Sequence, residues 1–221
     1  MSVILSKLLQ NKFYLSLFLL TVIYLVGIVT ILLGHAESLM PLTPYNLIFA
    51  SALILYNAQG MNKTYLFWFA LIALVGFFLE WAGITTGLIF GSYIYGNGLG
   101  LKVLDVPLII GVNWAVLVFS AAAILNKLQI NHWSKAALGA TIMVAYDFLL
   151  EPVAMRFDFW DWQGGTIPLQ NYLAWWITAF LMSLGVLRYV SNLKNRIAPF
   201  VLAIQTLFFA ILILKEGISL F

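Results

Sequence analysis

The sequence predicts an all-α, polytopic membrane helical bundle of about seven transmembrane helices with a cytoplasmic N-terminus. Three observations carry that expectation. Of 221 residues, 63% are apolar and 9% charged, far from the roughly 25% charged residues of soluble domains. Apolar runs near the ~20 residues that cross ~30 Å of hydrocarbon recur seven times along the chain. The basic residues also sort by loop. Lys7, Lys12, Lys63, Lys127, Lys135, Arg188, Lys194 and Arg196 flank one set of span ends, against Lys102, Arg156 and Lys215 on the other. Cytoplasmic loops hold the excess of Lys and Arg, so the first set is expected inside and the C-terminus outside. The same sorting explains the net charge of +3, and no nucleic-acid partner is expected.

The spans are expected at about 13 to 33, 41 to 58, 64 to 84, 105 to 126, 134 to 151, 171 to 190 and 197 to 215. The first is too long for a signal-peptide core and is not followed by an A-x-A site, so it is read as a retained span. Before the third, Asn62-Lys63-Thr64 spells a glycosylation sequon, but on the inner side. No linker, charge block or low-complexity segment divides the chain, which is read as a single transmembrane domain, 1–221. Two long outer connections, about 85 to 104 and 152 to 170, hold GSYIYGNGLG and RFDFWDWQGGTIP, rich in turn-forming residues. Gly83, Gly87 and Gly91 recur every four residues, the spacing at which membrane helices approach closely, and are read as a packing stripe. Gly96, Gly98 and Gly100 give the next stretch backbone freedom, predicting a loop folded back over a cavity. FFLEWAG (77–83) and FLLEPVA (148–154) look alike, each ending a span with a glutamate before an aromatic, glycine-bearing loop. Seven positions in so biased a composition make weak support for a repeat.

All eight acids, Glu37, Glu80, Asp105, Asp147, Glu151, Asp158, Asp161 and Glu216, map to the outer half or outer loops. Glu37, Asp105 and Glu216 are read as solvated. Glu80, Asp147 and Glu151 fall within or at the lip of apolar spans, where an ionisable side chain is costly and faces the bundle interior or a wet cavity. They are the candidate catalytic residues; the alternative is that they bond Arg156, Tyr or Asn side chains or free backbone groups. Asp147 and Glu151 are four apart, hence on one helix face about 6 Å from each other. Two carboxylates that close in a poorly solvated place do not both ionise easily. Aromatics crowd the same rim, including Tyr93, Tyr95, Trp160, Trp162 and Trp175. An interfacial belt accounts for most of them, and aromatic faces also stabilise cations.

Several classes are excluded. The chain has no cysteine and two histidines, His35 and His132, both expected in loops. Membrane di-iron chemistry needs clustered histidines, and a Ser-His hydrolase needs a histidine near its serine. Lys215, at the outer end beside Glu216, does not suit a retinal lysine. A Mg²⁺-dependent prenyltransferase would use acid-rich motifs, for which Asp147-x-x-x-Glu151 could be mistaken.

Glu80, Gly83, Thr86, Gly87, Phe90, Gly91, Tyr93 and Tyr95, then Val106-Pro107 and Trp114, follow a pattern E..G..TG..FG.Y.Y, VP and W. Asp147, Glu151-Pro152, Trp160, Trp162, Ile167-Pro168, Asn171 and Trp175 follow D...(D/E)P, W.W, P..N and W. Together they resemble the bacterial and archaeal family of carotenoid biosynthesis membrane proteins that includes the carotenoid 1',2'-hydratases (CruF type) and bisanhydrobacterioruberin hydratase. The resemblance covers about 80 to 176. It implies cofactor-independent addition of water to the terminal double bond of an acyclic carotenoid end, in lycopene, γ-carotene or similar, by a hydro-lyase of the bacterial or archaeal cell membrane. It implies catalytic roles for Glu80, Asp147 and Glu151, without deciding which donates the proton. It further implies substrate contacts from Tyr93, Tyr95, Trp114, Asp158, Trp160, Trp162 and Asn171. Other outcomes stay open: cyclisation of the same cation, prenyl transfer, or proton-coupled transport through the buried acids.

Overall fold

The computed structural model describes residues 11–219; Lys7, counted above, lies outside them. The helices are α1 (Lys12–Leu32), a short α2 (Ala36–Leu39) continued by a 3₁₀ turn (Met40–Leu42), α3 (Thr43–Asn57), α4 (Lys63–Thr86), α5 (Leu108–Leu125), α6 (His132–Arg156), α7 (Leu169–Tyr189) and α8 (Ala198–Glu216). Their starts are fixed locally. Asn11, Asn62 and Asn131 cap α1, α4 and α6 with their side-chain oxygens, satisfying first-turn N–H groups. Pro107 and Pro168 precede α5 and α7.

Among the described residues, six helical segments are long and apolar enough to cross a membrane: α1, Ala36–Asn57, α4, α5, α6 and α8. The seventh expected span is a 21-residue helix, α7, whose Gln170, Asn171 and Arg188 dilute its apolar content. Hydropathy placed the helices well but not their ends. Span 4 starts at Leu108, because residues 102–107 form a hairpin of β2 (Lys102–Val103) and β3 (Val106–Pro107). Leu104 and Asp105 turn it with positive φ, 52° and 62°, as two-residue hairpin turns require. His132, expected in a loop, is the first residue of α6.

α5 is the hub. Nearly all of it is buried, and it packs against α3, α4, α6, α7 and α8, as a helix apolar all round should. α1 rests outside, on α3 and α8. Close approach of α4 to α5 depends on Gly76, where a Cβ would stand 2.7 Å from the Trp114 side chain. A Gly76→Val substitution is therefore expected to cost about 1–3 kcal/mol, the usual penalty of overpacking. Thermal unfolding in detergent should show the loss, with quenching or a shift of indole fluorescence as Trp114 is displaced.

The chain ends of alternate helices gather at two poles. At one, Ala58 bridges Asn195 and the Asn195 amide donates to Ile54 O at 2.7 Å. At the other lie the long connections and all eight acids. Here Arg156 pairs with Glu37 at 2.7 Å, so it is not the partner of Asp147 or Glu151. Both side chains are largely exposed, and such pairs contribute little.

The expected packing stripe of Gly83, Gly87 and Gly91 is not what the structure shows. Gly87 ends α4 in the left-handed region at φ 66°, and Gly91 lies beyond it at φ 113°. A spacing of four served a helix end and a turn instead. The two long connections join through β1 (Tyr93–Tyr95) and β4 (Trp160–Trp162), an antiparallel pair with Tyr93 opposite Trp162 and Tyr95 opposite Trp160. Gly96 and Gly98 donate their backbone N–H groups to Phe159 O and Asp158 O, an approach that a Cβ at either position would block.

Candidate active site

The β1–β4 ribbon covers the pole where α4 and α6 bring up their acids. Both strands alternate buried, exposed, buried, so Tyr93 and Tyr95 from one and Trp160 and Trp162 from the other point inward together. Glu80, one turn after Gly76 on α4, is buried at 4% exposure. Its Oε2 accepts from the hydroxyls of Tyr93 and Tyr95, the latter at 2.8 Å, and its Oε1 from Trp114 Nε1 at 2.9 Å. Gly83 makes room for this, since a Cβ there would meet Phe90 at 2.7 Å and the Tyr93 hydroxyl at 3.0 Å.

Glu151 on α6 is held the same way. Its Oε2 accepts from Trp160 Nε1 at 2.9 Å and Trp162 Nε1 at 2.7 Å, and its Oε1 from Asn171 Nδ2 at 2.8 Å. The same Asn171 amide donates to Asp147 Oδ2 at 3.2 Å. The other oxygen of Asp147 is buried with no hydrogen-bond partner among the described residues. The three acids thus differ in kind. Glu80 and Glu151 each accept three fixed donors, and Asp147 accepts one.

The two halves correspond. Helix, inward pair of aromatic donors and second helix occur as α4–β1–α5 and again as α6–β4–α7. Trp114 and Trp175 are each the seventh residue after the proline that opens α5 or α7, and their rings stack at 4.1 Å. FFLEWAG and FLLEPVA fall at matching places in this arrangement, each carrying the glutamate of its half.

Between the glutamates lies a cavity of about 20 Å³, bordered by Glu80, Glu151, Asn113, Asn171, Trp114 and Trp175 together with the aromatic pairs. That is room for one water, which needs ~10–15 Å³ on this measure and several polar partners. Asn113, one residue before Trp114 in an otherwise apolar span, went unnoticed in the sequence; a lone amide at that depth is the signal that marks it. Asp158, expected near the substrate, is outside the cavity. It is exposed on the ribbon at φ 55°, and its Oδ2 accepts from Asn97 N at 2.9 Å, tying the two connections together. Lys102 does similar work, donating to Tyr95 O at 2.7 Å.

Burial, reinforced by the neighbouring Glu80, pushes the Tyr93 and Tyr95 phenols far above the ordinary tyrosine range. Both remain protonated donors. The sign for stability follows from linkage. Above pH ~10 the unfolded phenols release protons that the folded ones keep, so stability is full below that pH and declines as pH rises through it. Thermal midpoints between about pH 8 and 11 should be flat and then fall, and the Tyr95→Phe protein should show a shallower fall.

Apolar helices surrounding a buried, hydrogen-bonded acid cluster define a multi-pass membrane protein with an acid site at one pole. The chain belongs to the carotenoid biosynthesis protein family, whose model matches residues 42–221. Along nearly its whole length it is similar to bisanhydrobacterioruberin hydratase of Haloarcula japonica, at 30% identity over 237 aligned positions, covering 96% of this chain and 77% of that one. No solved structure matches it.

Proposed function

We propose that the protein is a carotenoid 1',2'-hydratase of the cell membrane, adding water to the terminal double bond of an acyclic carotenoid end without a cofactor. The observation that carries this reading is the water-sized cavity between two glutamates of fixed geometry, next to a third acid with an unused oxygen. Asp147 and Glu151 lie one turn apart and share the Asn171 amide; as a pair they hold one proton between them. The alkene π electrons take that proton and a C2'–H bond forms. The positive charge left on C1' is tertiary and is flanked by aromatic rings and by the ionised Glu80. A water held at Glu80 attacks C1', forming the C–O bond, and gives its proton to Glu80. Return of that proton to the Asp147–Glu151 pair completes the cycle, so nothing but water is consumed.

Donor chemistry separates this from the alternatives. Indole and phenol hydrogens point at the carboxylates, filling the lone pairs that a Mg²⁺-diphosphate would need. Cyclisation requires a dry site, whereas this cavity has the size and polar lining for a water. The site as closed admits no isoprenoid end, so the ribbon must part from the helices when substrate enters. A carotenoid lying along the bundle, about as long as the ~30 Å core is thick, presents one end at this pole. The N-inside orientation puts that pole at the outer face.

Expression in cells that accumulate lycopene or γ-carotene tests the reading. Extracted pigment should gain the mass of one water per acyclic end. Pigment of unchanged mass and retention with both substrates would contradict it, and an isomer of altered retention would indicate a cyclase.

A further inference from the structure

A second cavity, of about 440 Å³, opens sideways between α1, α3 and α8 with Tyr146 of α6 among its lining residues. Its volume falls within the ~300–1,000 Å³ of small-molecule sites. The walls are apolar, from Val22, Val26, Gly27, Met40, Phe208 and Phe209, and Val26 is 59% exposed on the outer side. A lipid chain could fill such walls. The interior is not apolar, however. Tyr24, Tyr146 and Gln205, each 3% exposed, meet Asn46 there. Asn46 Nδ2 donates to the Tyr24 hydroxyl at 2.8 Å, and Gln205 reaches the same hydroxyl. The amide oxygens Asn46 Oδ1 and Gln205 Oε1 are both buried without a hydrogen-bond partner among the described residues.

Tyr24 and Gln205 sit near the middle of α1 and α8, at a depth where hydrocarbon offers nothing to an unpaired polar atom. An acyl chain leaves both oxygens unpaired. A ligand hydroxyl donates to one of them and can accept from Tyr146.

We infer that this groove is a binding site for a hydroxyl-bearing isoprenoid, whose chain lies on the apolar wall and whose alcohol donates to Gln205 or Asn46. The isoprenoid class rests on family membership and the hydroxyl on the unpaired amide oxygens. Neither depends on hydration at the acid cluster. The groove is also separate from that cluster: Tyr146 lines it, and none of the residues that border the cavity between the glutamates does.

The test is binding alone, with no turnover. The purified full-length protein in lipid nanodiscs is titrated with geranylgeraniol and with its methyl ether, which has the same chain and no donor, by displacement of a diazirine-bearing geranylgeraniol whose crosslinks are mapped. Crosslinks are expected on α1, α3 and α8, with the alcohol bound ~10-fold more tightly than the ether, the worth of one such hydrogen bond. Gln205→Leu should reduce that preference severalfold. Asn46→Leu, at a half-buried position, gives the same reading if Gln205→Leu does not assemble. Gly27→Leu, which fills the groove against Phe208 and Leu39, should weaken both ligands. Equal affinity for alcohol and ether, an alcohol preference unchanged in both amide variants, or equal displacement by phosphatidylglycerol would overturn the inference.

Discussion

Asp147→Asn is expected to lower the hydration rate by ~10²–10⁴-fold, the usual contribution of a general acid, while leaving the protein as stable as before or more so. The two effects have one origin. Asp147 is fully buried, accepts one hydrogen bond and sits one helical turn from Glu151, so its charge is a burden on the fold. Asparagine has the same shape, keeps an oxygen for the Asn171 amide and removes the like-charge neighbour. It also removes the proton that the proposed mechanism assigns to the pair. Glu151 alone, with both oxygens already accepting from three donors, has no neighbouring carboxyl with which to share and pass on a proton. The pH–rate profile separates this from a packing defect: the limb reporting the pair's proton should vanish in Asp147→Asn. A variant that folds well and keeps both its rate and its pH profile would remove Asp147 from the mechanism.

Glu151→Gln is expected to lose both activity and stability, and to be the more damaging of the two glutamate-to-glutamine changes. The two indoles share Oε2 and Asn171 takes Oε1. A glutamine has a single carbonyl oxygen. If it serves the indoles, its NH₂ faces the NH₂ of Asn171; if it turns over, two indole donors face an amide that cannot accept. Asn171 cannot simply flip either, because its oxygen would then face Asp147. One or two buried donors are left unsatisfied, at about 1–3 kcal/mol each. Glu80→Gln differs in a way the chemistry specifies. Tyrosine hydroxyls accept as well as donate, so Tyr93 and Tyr95 can turn to the new NH₂ while its oxygen keeps Trp114. Unfolding midpoints of the two variants should therefore rank Glu80→Gln above Glu151→Gln, though both lose hydration. The opposite ranking would mean that the hydrogen-bond pattern is not what holds the ribbon down.

Long apolar runs fixed the helices in the sequence, and buried charge inside those runs pointed to Glu80, Asp147 and Glu151, because hydrocarbon tolerates neither irregular backbone nor idle acids. The ribbon was harder to see. Tyr93-Ile94-Tyr95 and Trp160-Asp161-Trp162 alternate with the period of a strand, but three residues in a glycine-rich connection read equally well as loop. Their pairing is a contact across some seventy positions that no local pattern encodes. Gly87 and Gly91 misled for a related reason: spacing alone does not separate a helix stripe from a helix end. The lateral groove was signalled only by Asn46 and Gln205, amides inside apolar spans whose unpaired oxygens become apparent once α1, α3 and α8 are packed.

The most direct test of acid-catalysed hydration is incubation of the purified protein with lycopene in vesicles made in deuterated water. The product should carry one added water per end group and, after washing into ordinary water, one deuterium that does not exchange, bonded to carbon next to the new alcohol. Asp147→Asn vesicles should yield almost none. Lycopene recovered unchanged, or an alcohol lacking carbon-bound deuterium, would contradict protonation of the alkene by the acid site.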